Sequence, residues 1–296
     1  MVQEQLQVSK ETHKNDKVYR DKKHLKKEPL LRFSEFNNEW ESIKLGDFLE
    51  FIPTNSFSRA KLNLEEGSIK NIHYGDIHTK FSTIVDVSEE EIPYINLDVD
   101  TSKLKKEHYC KEGDLIIADA SEDYEDIGKS IELINVNISL VSGLHTILAR
   151  DKIHKTAPGF KGYYFLTEDL RKKMKINANG ISVLGISKKN IANFEINLPS
   201  IEEQEKIVKF LYAIDKKIEL LEKKYENTLK IKNSIAQNLL NGTYVFDNSK
   251  NEWEEVNLSS ISKKEKNMQK KIVVFHMLHY LKMEFYQKQT NIIENF

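Results

Sequence analysis

Five carboxylates lie close together at Asp119, Glu122, Asp123, Glu125 and Asp126, a grouping that can hold a divalent cation for phosphodiester cleavage. A nuclease site of that kind also needs a positioned lysine. Here Lys129 simply follows Gly128 past a turn, so the run reads as a solvated surface loop. Cationic side chains are the other candidates for chemistry. Arg59 with Lys61, the stretch Lys70 to Lys80 with His73 and His78, the run Lys103 to Lys106, the group Arg171 to Lys175, and Lys188 with Lys189 are each able to meet phosphate oxygens or base edges. Each such cluster also serves as an ordinary solvated face. Catalytic signatures are missing: the sequence has no phosphate-binding P-loop, no dinucleotide-binding glycine pattern and no nucleophile elbow. Asn197-Leu198-Pro199-Ser200 comes near the motif of amino-methyltransferases, but lacks the second proline and the aromatic that would stack on a flipped base. His276 and His279 stand three apart with no third ligand, so no metal site is expected.

The elements that must position these groups are legible in the pattern. Ser200 followed by Glu203 has the form of a capping box, in which the hydroxyl accepts from the first helical amides and the carboxylate reaches back to the cap. From there Ile207, Leu211, Ile214, Ile218, Leu221 and Tyr225 alternate at spacings of four and three, the period of a coiled-coil seam. After Thr228 the stripe shifts to Ile231, Ile235 and Leu239, and Asn241-Gly242 marks the end. A helix over Ile201 to Leu240 would be about 60 Å long at 1.5 Å per residue. Its seam requires a partner helix or the face of its own domain.

Before that helix, Ser68–Tyr74, Phe81–Val87, Asp114–Asp119, Ser130–Ile134 and Leu144–Ala149 read as strands, bounded by Gly75, Gly113, Gly128 and Gly143. Pro158 to Ile176 carries Phe160, Tyr163, Tyr164, Leu170 and Met174 at helical spacing and is predicted as one helix. Phe194 to Leu198 is predicted as a last strand leading into the long helix. The fold class is therefore mixed α/β, followed by a coiled-coil type of helix. Cys110 is the single cysteine, which excludes an internal disulfide and fits a reducing cytoplasm. The first thirty residues are polar and basic, and no apolar run approaches the eighteen or so residues that span a bilayer. The net charge of −1 gives no overall attraction to nucleic acid, so any contact with DNA must come from local clusters.

Both tryptophans occur in the same tetrapeptide, Asn38-Glu39-Trp40-Glu41 and Asn251-Glu252-Trp253-Glu254, and the register continues with Ile43 matching Val256 and Leu45 matching Leu258. The chain reads as starting a second copy of its first domain without completing it. The expected divisions are a basic arm over 1–30, a recognition domain over 31–199, a spacer or dimerisation helix over 200–241, and a truncated second copy with an aberrant tail over 242–296.

The order of parts resembles the specificity subunit of type I restriction-modification systems. The resemblance is carried by Leu31-Arg32-Phe33, Asn38-Glu39-Trp40-Glu41 and Leu45-Gly46-Asp47, then Tyr74-Gly75-Asp76-Ile77, Glu112-Gly113-Asp114-Leu115 and Asp126-Ile127-Gly128-Lys129. It closes with Gly180-Ile181-Ser182, Asn197-Leu198-Pro199 and Glu202-Glu203-Gln204-Glu205-Lys206-Ile207. It implies a chain that reads one half of a bipartite double-stranded DNA site, docks methyltransferase and nuclease/motor subunits, carries no cofactor and is not itself an enzyme. In that family long helices set the gap between two recognition domains. One domain and one helix then imply either a half-subunit that pairs with itself through the seam, or an inactive truncated relic. Within the recognition domain, Arg59, Lys61, His73, Lys80 and Asn179 are the candidates for base edges, and Lys188 and Lys189 for phosphate. A coiled-coil assembly protein without a DNA role, and a metal-dependent nuclease using the acidic loop, are the alternatives from other classes.

Overall fold

The structure is a computed structural model and describes residues 31–241 together with 243, 256, 257 and 260. The basic arm over 1–30, Gly242, the second Trp segment with Leu258, and the tail holding His276 and His279 lie outside the described residues. Two compact units divide between Leu220 and Leu221, inside the long helix.

The first unit is built around the strand β7, Leu115–Ala118, whose four side chains are all buried. A continuous apolar run of this length is what a central strand with both faces covered requires. Alternation along the strand sends Leu115 and Ile117 to one core and Ile116 and Ala118 to the other. Strand β7 pairs antiparallel with β11, Thr146–Asp151, and with β9, Ser130–Ile134. β2, Leu49–Ile52, and β5, Ile84–Asp86, complete a five-stranded sheet in the order β2-β11-β7-β9-β5.

On one face of that sheet lie α1, Leu45–Phe48, α3, Phe160–Phe165, α4, Glu168–Asn177, and α5, Lys188–Ala192. They bring Phe48, Phe160, Phe165, Leu170, Met174 and Ile191 into the first core. On the other face, Ile72, Ile77, Phe81 and Leu140 fill the second. Ile77 comes from α2, Tyr74–Thr79, Phe81 from the segment just after it, and Ile72 and Leu140 from a four-stranded sheet ordered β10-β4-β6-β3. Its strands are Leu140–Ser142 (β10), Lys70–Ile72 (β4), Tyr94–Ile95 (β6) and Leu62–Asn63 (β3). Two small ribbons close the unit. β1, Glu41–Lys44, pairs with β13, Glu195–Leu198, and β8, Ala120–Ser121, pairs with β12, Leu184–Gly185.

The mixed α/β expectation holds, and so does the long helix α6, which runs over Ile201–Leu240 as predicted. One helix prediction needs correction: Pro158 to Ile176 is two helices, α3 and α4, separated at Leu166 and Thr167. Thr167 is in the extended conformation with ψ 142°, while Glu168 and Asp169 occupy the first turn that follows it. A chain that restarts a helix at an extended residue cannot carry one unbroken ladder. The expected strand Ser68–Tyr74 ends at Ile72, because His73 caps α2 by accepting from the Gly75 amide at 3.2 Å.

The capping box at the start of α6 is half made. Ser200 Oγ accepts from the Glu203 amide at 3.4 Å. Glu203 does not reach back. Its carboxylate is buried and takes a bidentate fork from Arg32, with Nε to Oε1 and Nη2 to Oε2 both 2.7 Å. Gln204, equally buried, accepts from the Ala157 amide at 2.9 Å and donates to the carbonyls of Pro199 at 3.0 Å and Lys155 at 3.2 Å. The first turn of the helix is thus fastened to the domain at two adjacent residues.

Candidate nucleic-acid interface

The turn joining β10 to β11 carries His145 with φ +53°, in the left-handed region that non-glycine residues seldom occupy. Four contacts rigidify it. Thr146 Oγ1 lies 2.7 Å from Ser142 Oγ and donates to the Gly143 carbonyl at 2.5 Å. The Asp119 amide donates to the His145 carbonyl at 3.1 Å, and the side chains of the same two residues meet again, Nδ1 to Oδ1, at 3.4 Å. Asp119 follows the end of β7, and its own carbonyl accepts from the Ile186 amide at 2.9 Å. Three segments of the chain therefore converge on one point: the end of the central strand, the β10–β11 turn and the ribbon around β12.

Tyr74, at the start of α2, fills the space between histidines. Its ring stands edge-on to His145 at 5.4 Å and to His78 at 6.0 Å, and lies tilted against His73 at 4.6 Å. Geometries of this kind favour aromatic rings. Arg59 pairs with Asp76 at 2.6 Å beside this cluster. Burial holds the His73 imidazole below 6.5, and the Arg59 charge acts in the same direction. Burial, in contrast, pushes the Asp119 carboxyl above its ordinary range, against the pull of His145 and then of Lys188. Buried polar atoms without a hydrogen-bond partner border the same place: Asn71 Nδ2, Asp76 Oδ2 and His78 Nδ1. Orphan buried polar groups are rare in folded proteins and concentrate at functional sites.

The sequence candidates divide around this cluster. Arg59 and Lys188 lie within electrostatic reach of it, and Asn179 pairs with Gly185 on the β12 ribbon, with bonds of 2.9 and 2.8 Å. His73 is in the cluster but buried, and serves as the helix cap. Lys61 is exposed and stands over the Phe57 ring at 5.6 Å. Lys80 is tied to Glu91, and Lys189 is exposed in the last turn of α5. The base-edge candidates from sequence did not include Tyr74, Asp119 or His145: Tyr74 stood only in a family motif, Asp119 only in the acidic run, and His145 was not singled out. The only local signal was Gly143 two residues before His145, which marks a turn without saying what it faces.

The acidic loop does not converge. Glu125 engages Lys175, Asp123 caps its own turn by accepting from the Glu125 amide at 2.8 Å, and Asp119 faces His145. Among the described residues, no group of three or more His, Cys, Asp or Glu is placed to hold a metal ion. Among them, too, no helix is long and apolar enough to cross a membrane.

Residues 37–231 match the family described as type I restriction modification DNA specificity domain. The chain belongs to that family. The match takes in the whole α/β unit from β1 onward and most of α6. Three solved structures are similar to this specificity-domain chain. One comes from work on complex assembly and conformational transition of the type I R-M system, with 18% identity and TM-score 0.47, covering 81% of this chain and 54% of that one. The type I restriction-modification S subunit from M. genitalium shows 12% identity and TM-score 0.44, over 72% of this chain and 48% of that one. The HsdS subunit from Thermoanaerobacter tengcongensis shows 18% identity and TM-score 0.40, over 73% and 48%. The chain thus spans about half the length of the solved structures it matches.

The seam of α6 changes character along its length. Ile207 and Val208 pack against the first core, and Tyr163 Oη donates to Asp215 at 2.6 Å. Leu211 is half-buried, whereas Ile214 and Ile218 are exposed. In the second unit, Leu221, Tyr225, Ile231 and Ile235 are exposed as well, with Leu239 intermediate.

Proposed function

We propose that this chain is the DNA sequence-recognition component of a type I restriction-modification complex, non-catalytic in itself, reading one half of a bipartite site. The observation that carries the reading is the family match, which runs through the α/β unit and into the long helix. In this proposal residues 31–199 form the reader and 200–241 the spacer, while the methyltransferase and nuclease subunits dock on the assembled chain. Residues such as Arg59, Lys188 and Asn179 surround the Tyr74 cluster with groups suited to phosphate and base edges.

The exposed stripe from Ile214 to Ile235 favours self-association. Leaving it in water costs about 25 cal/mol per Å² of apolar surface, and a second copy of the same helix offers a matching stripe. A dimer of this chain would present two identical readers at a fixed separation, and hence a symmetric split target. The test is co-expression with a methyltransferase subunit and mapping of methylated adenines on plasmid DNA. One split, symmetric motif is the expected result, and methylation without sequence preference would refute the reading. Placing aspartate at Ile218 and Leu221 should convert the dimer to monomer in sedimentation experiments and abolish methylation of the split motif. Dimerisation that persists in a chain lacking 31–198 but never protects DNA would instead favour a coiled-coil assembly role.

A further inference from the structure

We propose that Asp119 and His145 form an acceptor–donor couple that reads one base pair of the target, Asp119 accepting from the N4 amine of cytosine and His145 donating to the paired guanine. The inference rests on the DNA-recognition reading above and deepens it by naming residues that discriminate bases.

Four observations support it. The couple is fixed twice, through backbone and side chain, with the Asp119 amide on the His145 carbonyl and Nδ1 facing Oδ1 at 3.4 Å. Both side chains remain accessible, 51% for His145 and 32% for Asp119, so each has an atom to offer outward. His145 pays the strain of a left-handed backbone in a turn that Ser142, Gly143 and Thr146 lock, and strained residues held rigidly are characteristic of ligand-facing positions. Lys188 lies near enough to act electrostatically on Asp119, and Arg59 on the neighbouring His73, so cationic side chains border the place where the carboxylate would approach a phosphate backbone.

The chemistry follows from the major-groove edge. Cytosine shows a single amino donor, for which a carboxylate is the matching acceptor, while guanine shows two acceptors, N7 and O6. With Nδ1 turned toward Asp119 at 3.4 Å, Nε2 is the ring nitrogen left to face the base. Tyr74 braces the imidazole from the side at 5.4 Å. Asparagine in place of Asp119 keeps the shape but presents an acceptor and a donor together, the pattern that suits adenine.

The full chain, alone and assembled with its methyltransferase subunit, is to be used in selection from randomised duplexes, with Asp119→Asn and His145→Gln run in parallel. Near-ultraviolet circular dichroism and thermal midpoints confirm that the variants are folded. Wild type is expected to prefer C·G at one position by about tenfold. Asp119→Asn should lose that preference or turn it toward adenine, His145→Gln should weaken it, and all other positions should stay unchanged. A wild-type motif kept at every position in both variants overturns the couple and leaves the recognition reading intact. A uniform loss of affinity with an unaltered motif also overturns it, since that is the mark of a phosphate or positioning contact. A wild-type chain that selects no motif overturns both.

Discussion

Replacing Lys161 with methionine is expected to lower the stability of the domain by about 3–5 kcal/mol, the cost of leaving a buried charge without its partner. Lys161 lies in α3 and its Nζ sits 2.8 Å from Glu132 Oε1 on β9, both side chains being almost fully enclosed. The amine also donates to Thr156 Oγ1 at 2.9 Å, and the other carboxylate oxygen accepts from the Gly162 amide at 2.7 Å. The pair therefore clamps the helical layer to the five-stranded sheet at a point where water cannot replace a missing charge. The thermal midpoint should fall by about 10 °C. Adding Glu132→Gln to Lys161→Met should recover most of the loss, because the carboxylate and not the lysine is then the costly group.

The deficit should also depend on pH. Burial raises the Glu132 carboxyl above 4.5, and the neighbouring Lys161 opposes that rise. A carboxyl whose folded value is raised contributes stability that is full below the unfolded value and is lost as pH climbs through the folded one. Removing Lys161 removes the opposing pull. The variant should thus be weakest near neutral pH and approach wild type toward about pH 5. Urea unfolding at both pH values measures this, and a deficit that is equal at the two would count against an unpaired Glu132 as its cause.

Arg32→Ala should be nearly as damaging, at roughly 3 kcal/mol or more. Arg32 donates to both oxygens of Glu203 at 2.7 Å and to the Asn38 carbonyl at 2.6 Å. Its loss strands a buried carboxylate in the first turn of α6 and frees the segment that leads into β1. Amides from Ile201 to Ile207 should lose protection against hydrogen exchange by more than those of β7. Lysine at position 32 should rescue little, since a single ammonium cannot reproduce the planar fork. Breaking the nearby ion pair of Lys206 with Glu35, which is largely exposed, should cost no more than about 1 kcal/mol. Equal effects from the two substitutions would mean that burial is not what makes Arg32 matter.

The sequence alone determined the elements whose cause is local. The helix from Ile201 to Leu240 follows from a capping serine and an apolar period of three and four residues, and both signals act within a turn or two. The central strand around Leu115 to Ala118 follows from a continuous apolar run. The family followed from short motifs whose order survives without any knowledge of contacts. The site did not follow. Asp119 and His145 belong to different strands' ends, Tyr74 lies far from both in sequence, and their meeting depends on the register of β7 against β11 and on the second sheet behind them. The same holds for Glu203, where local pattern pointed to the helix cap and tertiary structure supplied Arg32 from 171 residues away. It holds for Lys161, an unremarkable lysine in sequence, which packing enclosed beside Glu132. Hydrogen bonding along a helix and alternation along a strand are fixed by neighbours in the chain. Which charges are buried together, and which polar groups are left facing outward, is fixed only when sheets and helices from distant parts of the chain exclude water between them.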